Sequence, residues 1–475
     1  MNTPAAISAG QATDRIQQRL TSYACSLGYD DLTPEAIHAA KVRIIDTLGG
    51  LIGGFYGEPL RIARTLAAQM PSPGGATIIG TGMKTSPDMA AFVNASVPHQ
   101  LEVQDIYHPP GSYEGHPSDV IMPVLAAAEH AQASGRELII GVVLAYEIFC
   151  RMCDVFHNSA FDYTNFACVS TAVAAGKVLG LSPEQLMHCI SMAVVPNVIL
   201  RQEKDNRLSM WKEMASGQAG RAGVFAALLA RAGMEGPPRP FEGKTGWSDH
   251  VAKERFSLDT LGGKGTPFRI GDTLIKNRPA AASAVSLILA AEKIAPLENV
   301  ADVQRITAEA HYGRYYQGTI SKEYTGKGDR FWQPDSPGNA NHSFPYVVAA
   351  TLIDGTVTPR SFDEAHLSNP ALRALMQKVD VVVNRAFAQA YERVPQEHRA
   401  RVTVELRSGE RLVGETGGDA DDLSAPRTKA QIEEKFRGLT EESLGAKRAS
   451  GILERLWHLD DMANVAEIPP ALAFA

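Results

Sequence analysis

Apolar residues recur at helical spacing through the first part of the chain, and several runs are apolar nearly all the way round. Thr33-Pro34-Glu35 offers an N-cap, a proline at the first helical position and an early acid, the combination that opens a helix. It leads into a run in which Ile37, Ile44, Ile45, Leu48 and Ile52 recur at mixed helical steps. Ser182-Pro183-Glu184-Gln185 repeats the start signal, with Gln185 placed to close a capping box. The stretches Val120–His130, Glu137–Cys150, Thr171–Leu179 and Gly223–Ala230 are apolar on almost every face, and such helices are buried by other helices. The pattern predicts a large all-α domain beginning with residues 1–272.

The period changes after Ile270. Val303–His311, Lys378–Val383 and Arg401–Leu412 alternate or are rich in β-branched residues, as half-buried strands are. Ser408-Gly409 supplies a turn within the last of these. Pro279–Lys293 and Pro345–Ile353 read as helices, the second stopped by Asp354-Gly355. This predicts a smaller α/β (α+β) lid domain over 273–425, with Gly414–Asp422 as a linker. From Thr428 an amphipathic helical pattern returns, so residues 426–475 are expected to rejoin the first domain. The fold class expected is mainly α.

Composition narrows the function classes. Of 475 residues, 44% are hydrophobic and 21% charged, and the formal net charge is −7. These values describe an ordinary globular chain and give no reason to expect a nucleic-acid partner. No apolar stretch reaches the roughly 20 residues of a membrane span, so no membrane partner is expected. The N-terminus has no cation before Arg15 and no apolar core, unlike a secretory signal. Five cysteines are too few and too scattered for a disulfide framework, and a cytoplasmic location is the expectation.

Several familiar patterns fail on inspection. Gly80-Thr81-Gly82-Met83-Lys84-Thr85 lacks the glycine that precedes a P-loop lysine, and Gly243-Lys244-Thr245 has Pro238 where the first P-loop glycine belongs. Gly49, Gly50, Gly53 and Gly54 sit within a helical pattern and read as close helix packing. Cys150 and Cys153 form one C-x-x-C pair in an apolar helix, which reads as buried structure and not as a zinc site. No metal and no cofactor are expected.

Three segments concentrate polar groups without helical or strand logic. Asn94–Pro123 holds His99, Glu102, Asp105, His108 and His116 among five prolines and two glycines. So many ionisable groups in a structured loop suit a wet cleft; a capped surface loop is the alternative. Arg201–Lys212 carries Arg201, Lys204, Arg207 and Lys212 at the mouth of an apolar helix, and a solvated face would look the same. Lys276 and Arg278 fall at the proposed domain junction, where ligand clefts commonly form; a linker charge is the equal alternative for Lys276.

On these residues the chain resembles the MmgE/PrpD family, which contains 2-methylcitrate dehydratases, cis-aconitate decarboxylases and an iminodisuccinate epimerase. The resemblance runs over nearly the whole chain. Its marks are Asp46-Thr47-Leu48-Gly49, the Asn94…His99…Asp105 run, Gly115-His116-Pro117-Ser118-Asp119 and Gly176-Lys177-Val178-Leu179-Gly180-Leu181-Ser182. Gly233-Met234-Glu235-Gly236-Pro237, Phe241-Glu242-Gly243 and Lys276…Pro279 follow, then Asn341-His342-Ser343-Phe344-Pro345-Tyr346 and Glu433-Glu434-Lys435-Phe436. The resemblance implies a helical domain interrupted by a lid, a homodimer, and a site between domain and lid. It places the family's catalytic histidine on His116 and its two lysines on Lys212, ahead of Gly217, and Lys276.

Three positions depart from the decarboxylase-type pattern. Glu102 stands where a shorter acid is usual, Ile106 replaces a threonine, and Tyr163 falls on or beside a histidine. Tyr324 is the nearest candidate for the lid tyrosine. The implied activity is a cofactor-independent lyase acting on a small di- or tricarboxylate by dehydration. Decarboxylation or epimerisation of a related polycarboxylate, or a non-catalytic carboxylate-binding homologue, are the alternatives. Catalytic roles are expected of His116, Lys212, Lys276 and Tyr163 or His99. Substrate contacts are expected of Glu102, Asp105, Arg201, Arg278 and Tyr324. The departures at Ile106 and Tyr163 imply poor cis-aconitate decarboxylation and a substrate with an apolar group opposite Ile106.

Overall fold

The computed structural model describes residues 13–204, 208–311, 332–418 and 422–475. Among the described residues nine α-helices build the first part: α1 (Arg15–Ser26), α2 (Pro34–Gly53), α3 (Glu58–Ala67), α4 (Pro87–Ser96), α5 (Ile121–Ala131), α6 (Gly135–Val155), α7 (Thr164–Val178), α8 (Pro183–Val194) and α9 (Trp211–Arg231). The start signals act as their chemistry requires. Thr33 Oγ1 accepts from Ala36 N–H at 3.2 Å, and Ser182 and Gln185 close their box at 3.0 and 3.2 Å. Tyr146, Phe149 and Phe166, on α6 and α7, are wholly buried, as helices apolar on every face must be.

α9 packs against both α4 and α7. Small residues permit this approach: a Cβ on Gly217 would run into the Phe92 carbonyl and the Ser96 hydroxyl of α4. The α2 glycines serve the same end, with Gly49 against Phe436, Gly50 against Val103 and Gly53 against Leu101 and Leu439. Helix Lys429–Leu444, capped by Thr428 and Gln431, therefore packs on α2. The C-terminal segment thus joins the first core, which runs from Ile16 to Ile275 and resumes from Ile432 to Leu472.

A second, separate core spans Ala280 to Leu423. Its sheet has the order β4-β3-β5-β6, from β3 (Val303–Ala310), β4 (Val379–Val383), β5 (Ala400–Leu406) and β6 (Arg411–Thr416). β3 pairs in parallel with β4 and antiparallel with β5, so Ile306 faces Val379 on one side and Val404 on the other. Ile306, Ala308 and Ala310 are fully buried, the period-two signature read from the sequence. Helices α10 (Ala282–Glu292) and Phe344–Asp354 cover this unit. The mainly helical fold with a small mixed α/β unit is as expected.

Two local readings need correction. Gly414 lies inside β6 and not in a linker: it lets the strand approach the Ala290 carbonyl of α10, and a Cβ there would collide with it. A hairpin of β1 (Pro71–Thr77) and β2 (Lys84–Thr85) was not anticipated. Its first strand is rich in proline and glycine and its second is only Lys84-Thr85, which hides a strand signal. Gly80 and Gly82 make its turn at φ +94° and +70°. Among the described residues no helix is long and apolar enough to cross a membrane.

The α4–α9 contact can be tested. Gly217→Ala should destabilise the fold by about 1–3 kcal/mol, the usual cost of overpacking, measured by denaturant or thermal melting. An unchanged melt would mean that the helices can separate without loss.

Candidate functional site

The loop between α4 and α5 is folded by its own polar groups. The backbone of Ile106 pairs with Leu274, with N–H to carbonyl distances of 2.9 and 2.8 Å. This two-way bridge ties the loop to the segment carrying Lys276. Tyr107 pairs with Gly115 in the same manner and brings His116 back beside Asp105. The Ile106 side chain is only 2% exposed. It is as buried as Glu102 and Lys276, and its backbone is what joins the loop to the junction.

Glu102 occupies the centre. Its backbone lies in the left-handed region at φ +53°, a costly conformation for a residue with a side chain. The carboxylate is buried between two lysines. Oε1 is paired with Lys212 Nζ, and Oε2 lies 3.2 Å from Lys276 Nζ. His342 Nε2 stands 3.9 Å from Oε1. Burial alone would raise the carboxyl's pKa, but the charges of Lys212 and Lys276, helped by His342 and His116, hold it well below the usual range. Lys212 comes from the first turn of α9 and Lys276 from the junction, so three distant segments meet at one carboxylate.

The two lysines differ. Burial depresses both. For Lys212 the opposing charges of Glu102 and Glu213 win, and its pKa rises. For Lys276 burial wins, reinforced by Lys212 and Lys435, and its pKa falls. Lys435 is a residue the sequence reading passed over. From the C-terminal helix it donates to the carbonyls of Lys276 and Val103 at 2.7 and 2.8 Å and pairs with Asp46 at 2.6 Å. It thereby fixes the backbone on both sides of the lysine pair.

His116 caps this cluster. Its Nδ1–H donates to the Asp105 carbonyl at 2.6 Å. A carbonyl can only accept, so the proton sits on Nδ1 and Nε2 keeps a lone pair. Burial, with Lys276 adding to it, holds its pKa well below the ordinary value. The Tyr163 ring lies edge-on to the His116 ring at 5.5 Å between centroids. Burial, with Asp119 and Asp162 nearby, raises the Tyr163 phenol well above its normal value. His116, Lys212, Lys276, Tyr163 and Glu102 are therefore brought together.

Other expected residues have different work. His99 was expected as an acid–base group, but both ring nitrogens are engaged. Gln104 Nε2 donates to Nδ1 at 2.6 Å, and Nε2 faces Asp119 Oδ1 at 2.6 Å and Ser216 Oγ at 2.7 Å. Ser216 in turn donates to Asp119 Oδ2 at 2.6 Å. This buried network lies edge-on beneath His116, at 5.8 Å between ring centroids. The Asp105 carboxylate was expected to bind substrate. It instead accepts from Ser118 N–H at 3.0 Å and Tyr146 hydroxyl at 3.1 Å, and its contribution to the site is its backbone carbonyl.

Arg201 donates to the Tyr113 phenol at 3.1 Å. Arg278 holds Glu292 in a bidentate pair at 2.5 and 2.8 Å. It lines a cavity of 860 Å³ with Thr356, Thr358, Gln431 and Lys435. Tyr324 lies outside the described residues. Sequence reasoning missed Gln104, Ser216 and Lys435 as site supports, and His342 as a neighbour of Glu102. His342 and Lys435 stood within quoted motifs, which was the available signal. Among the described residues no three His, Cys, Asp or Glu side chains converge as metal ligands.

Comparison with known proteins bears on this arrangement. The human cis-aconitate decarboxylase is 25% identical over 465 residues, spanning 93% of this chain and 91% of its own. The 2-methylcitrate dehydratase of Salmonella typhi is 25% identical over 409 residues, 81% of this chain and 82% of its own. The mitochondrial 2-methylcitrate dehydratase of Yarrowia lipolytica is 27% identical over 412 residues, 80% and 74% respectively. These relatives are enzymes with different reactions, so they fix the lineage and not the substrate. The MmgE/PrpD N-terminal domain matches residues 18–259 and the MmgE/PrpD C-terminal domain residues 279–459, and the chain therefore belongs to the MmgE/PrpD family.

Proposed function

We propose that this protein is a metal- and cofactor-independent lyase that dehydrates a small hydroxy-di- or tricarboxylate, in the manner of a 2-methylcitrate dehydratase. The observation that carries the reading is the buried pair Lys212 and Lys276 sharing the single carboxylate of Glu102 beside a neutral His116. Lys212 also faces Glu213 at 3.9 Å, an acid whose pKa burial raises. Fixed ammonium groups bind an arriving carboxylate and stabilise charge that develops on it during reaction.

The chemistry then assigns itself to the remaining groups. His116 Nε2, with its lone pair exposed by the Nδ1 bond to Asp105, takes the proton from the carbon next to a substrate carboxylate. The electron pair of that C–H bond forms the new double bond as the C–O bond breaks. The departing hydroxide receives a proton and leaves as water. Tyr163 is the donor, because its raised pKa keeps the phenol protonated at neutral pH, while hydroxide is a stronger base still. The His99–Asp119–Ser216–Gln104 network holds the floor under His116 without exchanging protons.

Supplying citrate, 2-methylcitrate, cis-aconitate and shorter hydroxy-diacids should reveal a hydroxy-acid as best substrate by kcat/KM, with the unsaturated product followed by ultraviolet absorbance. Lys276→Ala should abolish both turnover and the thermal shift given by that acid. Best turnover of cis-aconitate, with release of CO2, would replace dehydration by decarboxylation. Activity should survive dialysis against a chelator.

His116→Ala should lower kcat about 10²–10⁴-fold with little change in KM, since proton transfer belongs to the transition state. The pH dependence carries a sign. Because burial holds the His116 pKa below its ordinary 6.5, the base stays unprotonated as pH falls through that value. The acid limb of kcat/KM should therefore lie below about 6.5. A limb centred at or above that value would remove His116 as the base.

A further inference from the structure

Beside the lysine pair lies a second charged cluster that the proposed reaction does not use. Lys204, in the short turn Arg201–Lys204, places Nζ 2.9 and 2.8 Å from the two oxygens of Asp162. It also lies 3.3 Å from Oε1 of Glu203. The same ammonium stands 3.9 Å from the centroid of the Tyr163 ring. Asp162 is fully buried and accepts in addition from Thr164 N–H and hydroxyl at 3.0 and 2.9 Å. The Glu203 side chain is largely buried, and its one ion contact among the described residues is with Lys204; burial and the neighbouring Asp162 carboxylate push its pKa up to about 7.

A buried charge cluster is seldom more stable than apolar packing of the same volume. Apolar packing is at hand, since Phe149 already meets the Tyr163 ring at 6.1 Å between centroids. The cluster's position suggests another use. Asp162 immediately precedes Tyr163 in the chain, so the carboxylate that grips Lys204 and the ring beneath Lys204 share one stretch of backbone. A cation over an aromatic face is held there by the ring's quadrupole and restrains its tilt. The edge of that ring meets His116 at an interplanar angle of 80°.

We propose that Lys204, clamped between Asp162 and Glu203, is a positioning residue that holds the Tyr163 ring edge-on to His116. The inference rests on the reading of Tyr163 as a group of the reaction. Loss of the ammonium frees the ring to turn, so the effect falls on the catalysed step more than on binding. Arginine, a planar cation that also stacks on aromatic faces, should replace lysine in this role. A neutral side chain of similar length should not.

The test uses the best substrate of the panel. Lys204→Met should lower kcat by about tenfold or more with KM changed less than about twofold, and Lys204→Arg should recover most of the loss. In a Tyr163→Leu background Lys204→Met should cost little further, because the ring through which it acts is gone. A full second loss in that background, or an unchanged kcat in the single variant, overturns the proposal. Should Lys204→Met fail to fold, Glu203→Gln loosens the clamp at constant shape and should give a smaller loss of the same kind; an unchanged kcat there overturns it equally. If the wild-type chain turns over no polycarboxylate, the reaction is refuted separately. A crystal structure of Lys204→Met then decides the positioning claim: a Tyr163 ring rotated away from His116 supports it, and an unmoved ring overturns it.

Discussion

The site depends on one buried carboxylate shared by two lysines. Glu102 holds Lys212 and Lys276, and each comes from a different part of the chain. Removing one partner from such a buried arrangement leaves an uncompensated charge, at a cost of about 3–5 kcal/mol. The arrangement therefore constrains its surroundings. The loop must carry Glu102 in a left-handed conformation, α9 must begin where Lys212 can reach it, and the junction must be pinned at Lys276.

Each requirement is met by packing elsewhere. The Ile106–Leu274 bridge sets the loop against the junction. Lys435 holds the carbonyls of Val103 and Lys276 from the C-terminal helix, and Asp46 on α2 neutralises it. The return of the chain's end to the first core is thus part of the site's construction, because it delivers the clamp that fixes the backbone of a functional lysine. The small residues of α2 and α9 let these helices come close enough for the contacts to exist.

Two histidines only a short way apart in sequence receive opposite assignments from their partners. His116 gives its Nδ1 proton to a carbonyl and keeps Nε2 unprotonated, while His99 is engaged at both nitrogens. Residue type cannot separate these cases, since both are imidazoles in one polar loop. What separates them is whether the second nitrogen meets a protein carboxylate. Asp119 and Ser216 sit beside His99, and the turn at Gly115 holds His116 with that nitrogen unclaimed among the described residues.

The sequence by itself determined the fold class, because apolar periodicity and capping residues act locally: the boxes at Ser182 and Thr428 and the alternation of Ile306, Ala308 and Ala310 are short-range effects. It also held His116, Lys212, Lys276, Glu102 and Tyr163, legible as polar groups without a local structural reason and through resemblance to a family. Tertiary structure alone decided their use. The turning of Asp105 to Tyr146, the engagement of His99 and the pairing of Arg278 with Glu292 depend on distances across the fold. So do Lys435 behind Lys276 and Lys204 over Tyr163. Gly414 misled as a linker for the same reason: glycine reads locally as flexibility, and only the Ala290 carbonyl of a neighbouring helix shows that it is there for lack of a side chain.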